Sequence, residues 1–249
     1  MKISVVLITR NEEQNIARAL ESVRWADELI VVDACSTDCT AEIARAHGAI
    51  VLVRPWPGFA EQRNWALQQT SGDWILPLDA DEVVDPELGD EIRRVVESSG
   101  DINGYWIARR NIVFGRWLRR GGMWPDYKLR LFRRGTGQFQ NRPVHEGLDV
   151  RGKTERLKHS FAHYTYPTIE GYIDTMNRYS SLGAVARGPR AFSFINIAVR
   201  PTIRFAYNYL FRLGFLDGRE GFLFHLYHSA YVSWTYAKAW EMVVNKKPE

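Results

Sequence analysis

Within its first hundred residues this chain repeatedly closes a short apolar run and opens a helical pattern, and that alternation constrains the fold more than any other feature. The strand-like runs are Ile3–Thr9, Leu29–Asp33, Ile50–Val53 and Trp74–Leu78. The first helical pattern runs from about Glu12 to Val23, with Ile16, Ala19, Leu20 and Val23 on one face. A second, which Ser36 or Thr37 is placed to cap, continues through His47, and a third carries Arg63, Trp65, Ala66 and Leu67. Pro86 stands near the start of a fourth, ending about Ser98, where its missing N–H costs little. Short strands alternating with helices predict an α/β chain with a mostly parallel central sheet covered on both faces. Ligands bind such sheets beyond the carboxyl ends of the strands, and Thr9, Asp33 and Asp79 all fall there.

Beyond Gly104 the pattern changes. Tyr105–Phe114, Lys128–Phe132 and Val144–Val150 read as strands between glycine-rich turns, and Thr168–Arg187, Ala191–Leu213 and Glu220–Val244 read as helices. With 45% hydrophobic and 13% aromatic residues the chain can bury a substantial core. Its net charge of +4 is unevenly spread. Residues 1–103 carry 9 Lys/Arg against 19 Asp/Glu, residues 104–158 carry 14 against 4, and residues 159–249 carry 10 against 6. An acidic first part beside a basic middle suits a metal site next to a surface that meets anions, although a solvated basic face gives the same count. Cys35 and Cys39 have no companions, which excludes a disulfide framework or zinc quartet and fits a reducing compartment. The first apolar run is too short for a signal peptide, and no stretch approaches the roughly 18 apolar residues of a spanning helix. The expected location is therefore the cytoplasm.

The chemistry begins at Leu78-Asp79-Ala80-Asp81-Glu82, where two carboxylates flank a small residue just past an apolar strand. In extended geometry residues i and i+2 point the same way, so both can address one site. Carboxylates so placed can hold Mg2+ or Mn2+, hard cations that neutralise charge on a leaving diphosphate. Turn-capping aspartates would give the same short string.

Matching signals at the other strand ends separate these readings. Val5-Val6…Asn11-Glu12-Glu13, Val31-Val32-Asp33…Ser36-Thr37-Asp38…Thr40 and Leu76…Leu78-Asp79-Ala80-Asp81-Glu82 occur in one order and spacing. In these motifs the chain resembles the glycosyltransferase family 2 group, whose nucleotide-diphospho-sugar transferase fold is called GT-A. The resemblance implies a metal-dependent hexosyltransferase with Thr9, Asn11 and Glu12 lining the nucleotide pocket. It implies Asp33 as acceptor for the base, favouring uracil because its ring N–H is a donor. Arg63 would lie near the diphosphate or ribose, Asp79 near the ribose or metal, and Asp81 on the metal. Arg142-Pro143-Val144-His145-Glu146 resembles a V-H-E signature of a subset of the family. A transferase that inverts the anomeric centre needs one general base, and Glu146 is the first choice with Asp126 the second. His145 or His163 would complete the metal shell. In Asp126-Tyr127-Lys128-Leu129-Arg130-Leu131-Phe132, which is similar to a family strand, Arg130 would hold an acceptor or phosphate group or pair with the acidic half.

The expected organisation is a GT-A catalytic domain over 1–165, with a nucleotide-binding half at 1–103 and an acceptor half at 104–165, then a helical C-terminal extension at 166–249. Phe205-Ala206-Tyr207-Asn208-Tyr209-Leu210 and Gly214-Phe215-Leu216-Asp217-Gly218 resemble the tail of bacterial family 2 core β-glucosyltransferases of lipopolysaccharide synthesis. That resemblance implies a UDP-sugar donor, UDP-glucose first, with UDP-galactose and ADP-heptose still open. It also implies a lipid-linked core oligosaccharide as acceptor. Aromatic and apolar side chains over 205–240 among Arg200, Arg204, Arg212, Arg219 and Lys238 suit an anionic membrane surface on the cytoplasmic face. A buried helical hairpin or a dimer interface has the same composition, and the oligomeric state is open. No nucleic-acid partner is expected. A sugar nucleotidyltransferase would show a glycine-rich loop after the first strand, and an oxidoreductase would show G-x-G-x-x-G. A carbohydrate- or membrane-binding module would leave the strand-end aspartates unexplained.

Overall fold

In a computed structural model, residues 1–140 and 147–245 are described. The elements in order are β1 (Ile3–Thr9), α1 (Ile16–Ser22), β2 (Glu28–Asp33), α2 (Thr40–Ala46), β3 (Ile50–Val53), α3 (Phe59–Gln68) and β4 (Trp74–Leu78). Then come β5 (Glu82–Val84), α4 (Pro86–Glu97), β6 (Ile102–Val113), β7 (Arg116–Trp117), β8 (Asp126–Arg133), β9 (Gly137–Phe139), β10 (Leu148–Val150) and β11 (Lys153–Tyr166). The chain ends in α5 (Ile169–Arg187), α6 (Arg200–Ala206) and α7 (Gly218–Val244).

The chain groups into two compact units, Met1–Arg109 with Asp126–His163, and Arg110–Pro125 with the segment from Tyr164 onward. Residues 110–125 thus group with the C-terminal helices. In the first unit the sheet order is β3-β2-β1-β4-β8-β6-β11-β5. The expected parallel arrangement holds for β3-β2-β1-β4, whereas β8 pairs antiparallel with β4 and β6, and β11 pairs antiparallel with β5. Alternation along β1 sends Val5 and Leu7 to one face, against Ile16, Leu20 and Ile92. Val6 turns to the other face, against Ala66, Ile75 and Phe132. Both faces are therefore covered, and the backbone is free to offer side chains only at the strand ends.

Three sequence expectations change. The α2 helix opens at Thr40, whose N–H and hydroxyl both donate to Asp38, because Ser36 and Thr37 are committed to Asp33 and Asn11. The 14-residue strand β11 lies where no element is expected from the sequence, because its buried positions Leu157, Phe161 and Ala162 are too sparse to show a clean alternation. The helix expected over Ala191–Leu213 is broken into π-helical turns at Ile195–Val199 and Tyr207–Phe211 around α6. The strand expected over Val144–Val150 begins outside the described residues and is seen at β10.

In the second unit α5 packs on α7 through a core of Val113, Leu118, Tyr172, Met176 and Phe224. Thr168 caps α5 by accepting from the Gly171 N–H at 3.1 Å. Among the described residues no helix is long and apolar enough to cross a membrane.

Candidate functional site

The last residues of β1 and β2 stand side by side in parallel register, Thr9 opposite Asp33. Both are buried, and the Thr9 hydroxyl donates to Asp33 Oδ1 at 3.2 Å. Asp33 also accepts from the Ser36 N–H at 2.8 Å and the Ser36 hydroxyl at 2.5 Å, which leaves room on Oδ2 for one further donor. The two strand-end loops are sewn together. Asn11 donates its N–H to Ser36 Oγ at 2.9 Å and accepts from the Thr37 N–H at 2.9 Å. The Glu12 N–H donates to Thr40 Oγ1 at 2.7 Å. Asn11 and Cys35 adopt φ of 56° and 57°, a left-handed backbone that costs a non-glycine residue free energy and persists only where its surroundings hold it.

One residue past β4, the chain turns. The Glu82 N–H donates to the Asp79 carbonyl at 3.0 Å, so Asp79-Ala80-Asp81 is a turn and not an extended run. The expectation that both carboxylates address one site from i and i+2 is therefore corrected, because that alternation belongs to strands. Asp79 faces two arginines, accepting from Arg63 Nη2 on Oδ1 at 2.7 Å and from Arg130 Nη2 on Oδ2 at 2.8 Å. Asp81 instead lies 3.1 Å from Nε2 of His163, which β11 brings to this edge.

Beneath them is Glu82, wholly buried. Its Oε2 accepts from the Asp79 N–H at 3.0 Å, and its Oε1 accepts from the same Arg130 Nη2 at 2.7 Å. Burial pushes the Glu82 carboxyl up against the opposing pull of Arg130. Burial acts the same way on Asp79, but the charges of Arg63 and Arg130 overcome it and hold that carboxyl well below the ordinary range. Arg130 remains charged because its two carboxylates outweigh its burial. Glu12 is raised, first by burial and then, against the pull of Asn15, by the negative charges of Asp81 and Asp79. That mutual discomfort of carboxylates marks a place where a cation would be stabilised.

Among the described residues no three His, Cys, Asp or Glu side chains gather as a metal site. The donor set nonetheless fits a hard divalent ion of the Mg2+ type, which binds through one or two carboxylates and completes its shell with phosphate oxygens and water. Asp81, partly exposed and with His163 beside it, is the described carboxylate suited to that role, whereas Asp79 is engaged by arginines.

Asp126, at the start of β8, accepts from Arg109 Nε and Nη2 at 3.0 and 2.8 Å and lies 3.0 Å from Lys128 Nζ. Burial raises its carboxyl, but Arg109 and Lys128 bring it below the ordinary value. Glu146 and His145 lie outside the described residues. Arg63 is positioned by α3, its guanidinium 5.0 Å from the Phe139 ring. Arg130, expected either at a phosphate or with the acidic half, is seen with the acidic half. The sequence reading missed the roles of Glu82 and Arg109. Glu82 was visible as the third acid of its motif, but nothing marked it as the buried one.

The profile described as Glycosyl transferase family 2 matches residues 4–150. The lipopolysaccharide core biosynthesis glycosyltransferase LpsC of Rhizobium meliloti is 30% identical over 97% of this chain and 93% of its own length. An uncharacterized glycosyltransferase of Rickettsia typhi is 33% identical over 89% of this chain and 81% of its own. The mannosyltransferase PcManGT of Pyrobaculum calidifontis, solved with GDP-Man and Mn2+, matches in structure with a TM-score of 0.57. At 16% identity, over 99% of this chain and 88% of that one, it is a likeness of fold.

Proposed function

Since the chain belongs to glycosyl transferase family 2 and has the GT-A fold, we propose that it is an inverting hexosyltransferase moving glucose from UDP-glucose onto a lipopolysaccharide core oligosaccharide. Its place would be the cytoplasmic face of the inner membrane, where a lipid-linked acceptor is met. One observation carries the donor side of this reading. Thr9, Asp33 and the Asp79–Glu82 turn all follow strands of the parallel half of the sheet at their carboxyl ends. Similarity to LpsC over nearly the whole chain supports the acceptor.

In this proposal Asp33 accepts from the uracil ring N–H through its remaining position, with Asn11 and Glu12 lining the pocket. Asp79, kept ionised by Arg63 and Arg130, accepts from a ribose hydroxyl, and Arg63 faces the diphosphate. Asp81, with His163 or His145, would hold a divalent cation, which when bound would supply positive charge opposite the leaving diphosphate. The acceptor hydroxyl oxygen bonds to the anomeric carbon from the face opposite UDP. The bond from that carbon to the β-phosphate oxygen breaks, its electron pair stays on UDP, and the hydroxyl proton passes to the Glu146 carboxylate.

The test is transfer by the purified protein with UDP-glucose, UDP-galactose and ADP-heptose, each with Mn2+ or with chelator, onto isolated core oligosaccharide. UDP-glucose turnover lost with chelator is expected. Asp81→Asn and Glu146→Gln should each lower turnover by on the order of 100-fold or more while leaving the circular dichroism unchanged. Wild-type turnover by either variant refutes the role given to that residue.

A further inference from the structure

In the second compact unit a tight loop is locked onto the start of α7. Gly121 and Gly122 have φ of 64° and 85°. A Cβ on Gly121 would come within 1.9 Å of the His225 ring, so no side chain fits there, while at Gly122 the neighbour is the movable end of Arg212 and the positive φ is what favours glycine. The Gly121 N–H donates to the Arg212 carbonyl at 2.9 Å, and the Arg120 N–H donates at 2.7 Å to Asp217, a carboxylate only 4% exposed. The loop is therefore held at its backbone and by the buried Leu118, and the side chains of Arg116, Arg119 and Arg120 are left exposed.

Those side chains make an amphiphilic surface. Arg116, Arg119 and Arg120, with Trp117, Leu216 and Asp217, line an open depression of about 410 Å³. Arg119 stacks 4.0 Å from the Trp117 ring, and Arg116 has Glu220 Oε2 at 3.6 Å. Among the described residues neither Arg119 nor Arg120 has a carboxylate within ion-pair distance of its side chain. Leu216 is 52% exposed, and Phe211, shortly before it in the chain, is 78% exposed. A free anion would account for the arginines but not for outward apolar side chains. Phosphate and apolar matter are offered together by a phospholipid surface, whose charge complements this loop.

We propose that the Arg116–Gly122 loop and the Gly214–Asp217 turn form a docking site for an anionic membrane. A headgroup phosphate sits against Arg119 and Arg120, and Phe211 and Leu216 enter the boundary of the acyl chains. The proposal rests on the reading that the acceptor is presented at a membrane, and it is independent of which donor is used.

Co-sedimentation of the full chain with phosphatidylcholine vesicles, with and without phosphatidylglycerol, tests it. The wild type should partition to the mixed vesicles and much less to the neutral ones. Each basic residue near an anionic surface contributes roughly five-fold, so Arg119→Gln with Arg120→Gln should weaken partitioning roughly twenty-five-fold. Phe211→Ser with Leu216→Ser should weaken it independently of lipid charge. Both double variants should keep wild-type transfer to a soluble, deacylated core oligosaccharide. Wild-type partitioning by the arginine variant overturns the site while leaving membrane attachment intact. No partitioning of the wild type to either vesicle overturns the site and the membrane reading together, and turnover on the soluble acceptor then shows whether the transfer reading survives. A shift in melting with inorganic phosphate but no vesicle binding identifies a free-anion site and overturns the proposal.

Discussion

Arg130 donates through one nitrogen to both Asp79 and Glu82, with little of its own surface exposed. Removing it leaves the wholly buried Glu82 with no cation among the described residues nearer than Arg109 at 3.9 Å, while Asp79 keeps Arg63. Breaking a buried pair in this way costs about 3–5 kcal/mol, far more than the pair contributes over an apolar replacement. Arg130→Gln should therefore lower the unfolding free energy by about that amount in urea titrations, and an unchanged midpoint would show that the network is not buried as described. Asp126 illustrates the opposite regime, since it is a quarter exposed and its partners are screened. Its folded carboxyl lies below the ordinary 3.8, so its stabilisation is present above that value and is lost as pH falls through the folded value. Asp126→Asn should cost about 1 kcal/mol near neutrality, with the cost shrinking in acid. A cost that stays constant with pH would remove the ion pair as its cause.

At the scale of elements, α5 and α7 face each other through Tyr172, Phe224 and His228. The His228 ring stacks on Phe224 with centroids 5.5 Å apart. Burial first, then the charge of Arg204, push it down to about 4. A base with a depressed folded pKa leaves the native state neutral while the unfolded chain takes up a proton. The helix pair is thus fully stable above pH 6.5 and loses stability as pH falls from 6.5 toward 4. Thermal melts across that interval should show a fall on the order of 2 kcal/mol in the wild type, after allowing for partial exposure. His228→Gln should flatten the fall, and an equal slope in the variant would assign the acid sensitivity elsewhere. The elements also show why some features were legible and others not. Strands β1, β2 and β4 are buried on both faces and announce themselves as apolar runs. The short β5 is Glu82–Val84, whose sequence carries no pattern because its pairing with β11 is decided far along the chain.

For the whole molecule, binding is the most direct probe. A donor that engages only the folded state stabilises it by about 2.7 kcal/mol at a hundred times its dissociation constant. For a chain of this size that raises the melting temperature by roughly 5–10 °C. UDP-glucose with Mn2+ should give such a shift, and chelator should remove most of it. A shift with ADP-heptose alone would move the donor assignment. The uneven charge seen in the sequence also acquires locations. The acidic first hundred residues contribute Glu12, Asp79, Asp81 and Glu82 at one edge of the sheet, and the basic middle contributes Arg109 and Arg130 to it.

The α/β alternation, the family motifs and the strand-end positions of Thr9, Asp33 and Asp79 are legible in the amino-acid string alone, because each is a local pattern of burial and turn chemistry. Family membership follows from the same local strings. Asp79 and Asp81 part company only once the sheet is assembled. Asp79 turns to Arg63 and Arg130, which come from α3 and β8, and Asp81 turns to His163 of β11. Partners that lie 16 to 82 positions away leave no periodicity in a sequence. Coulomb attraction and burial select among them only once the sheet has brought its distant strands together.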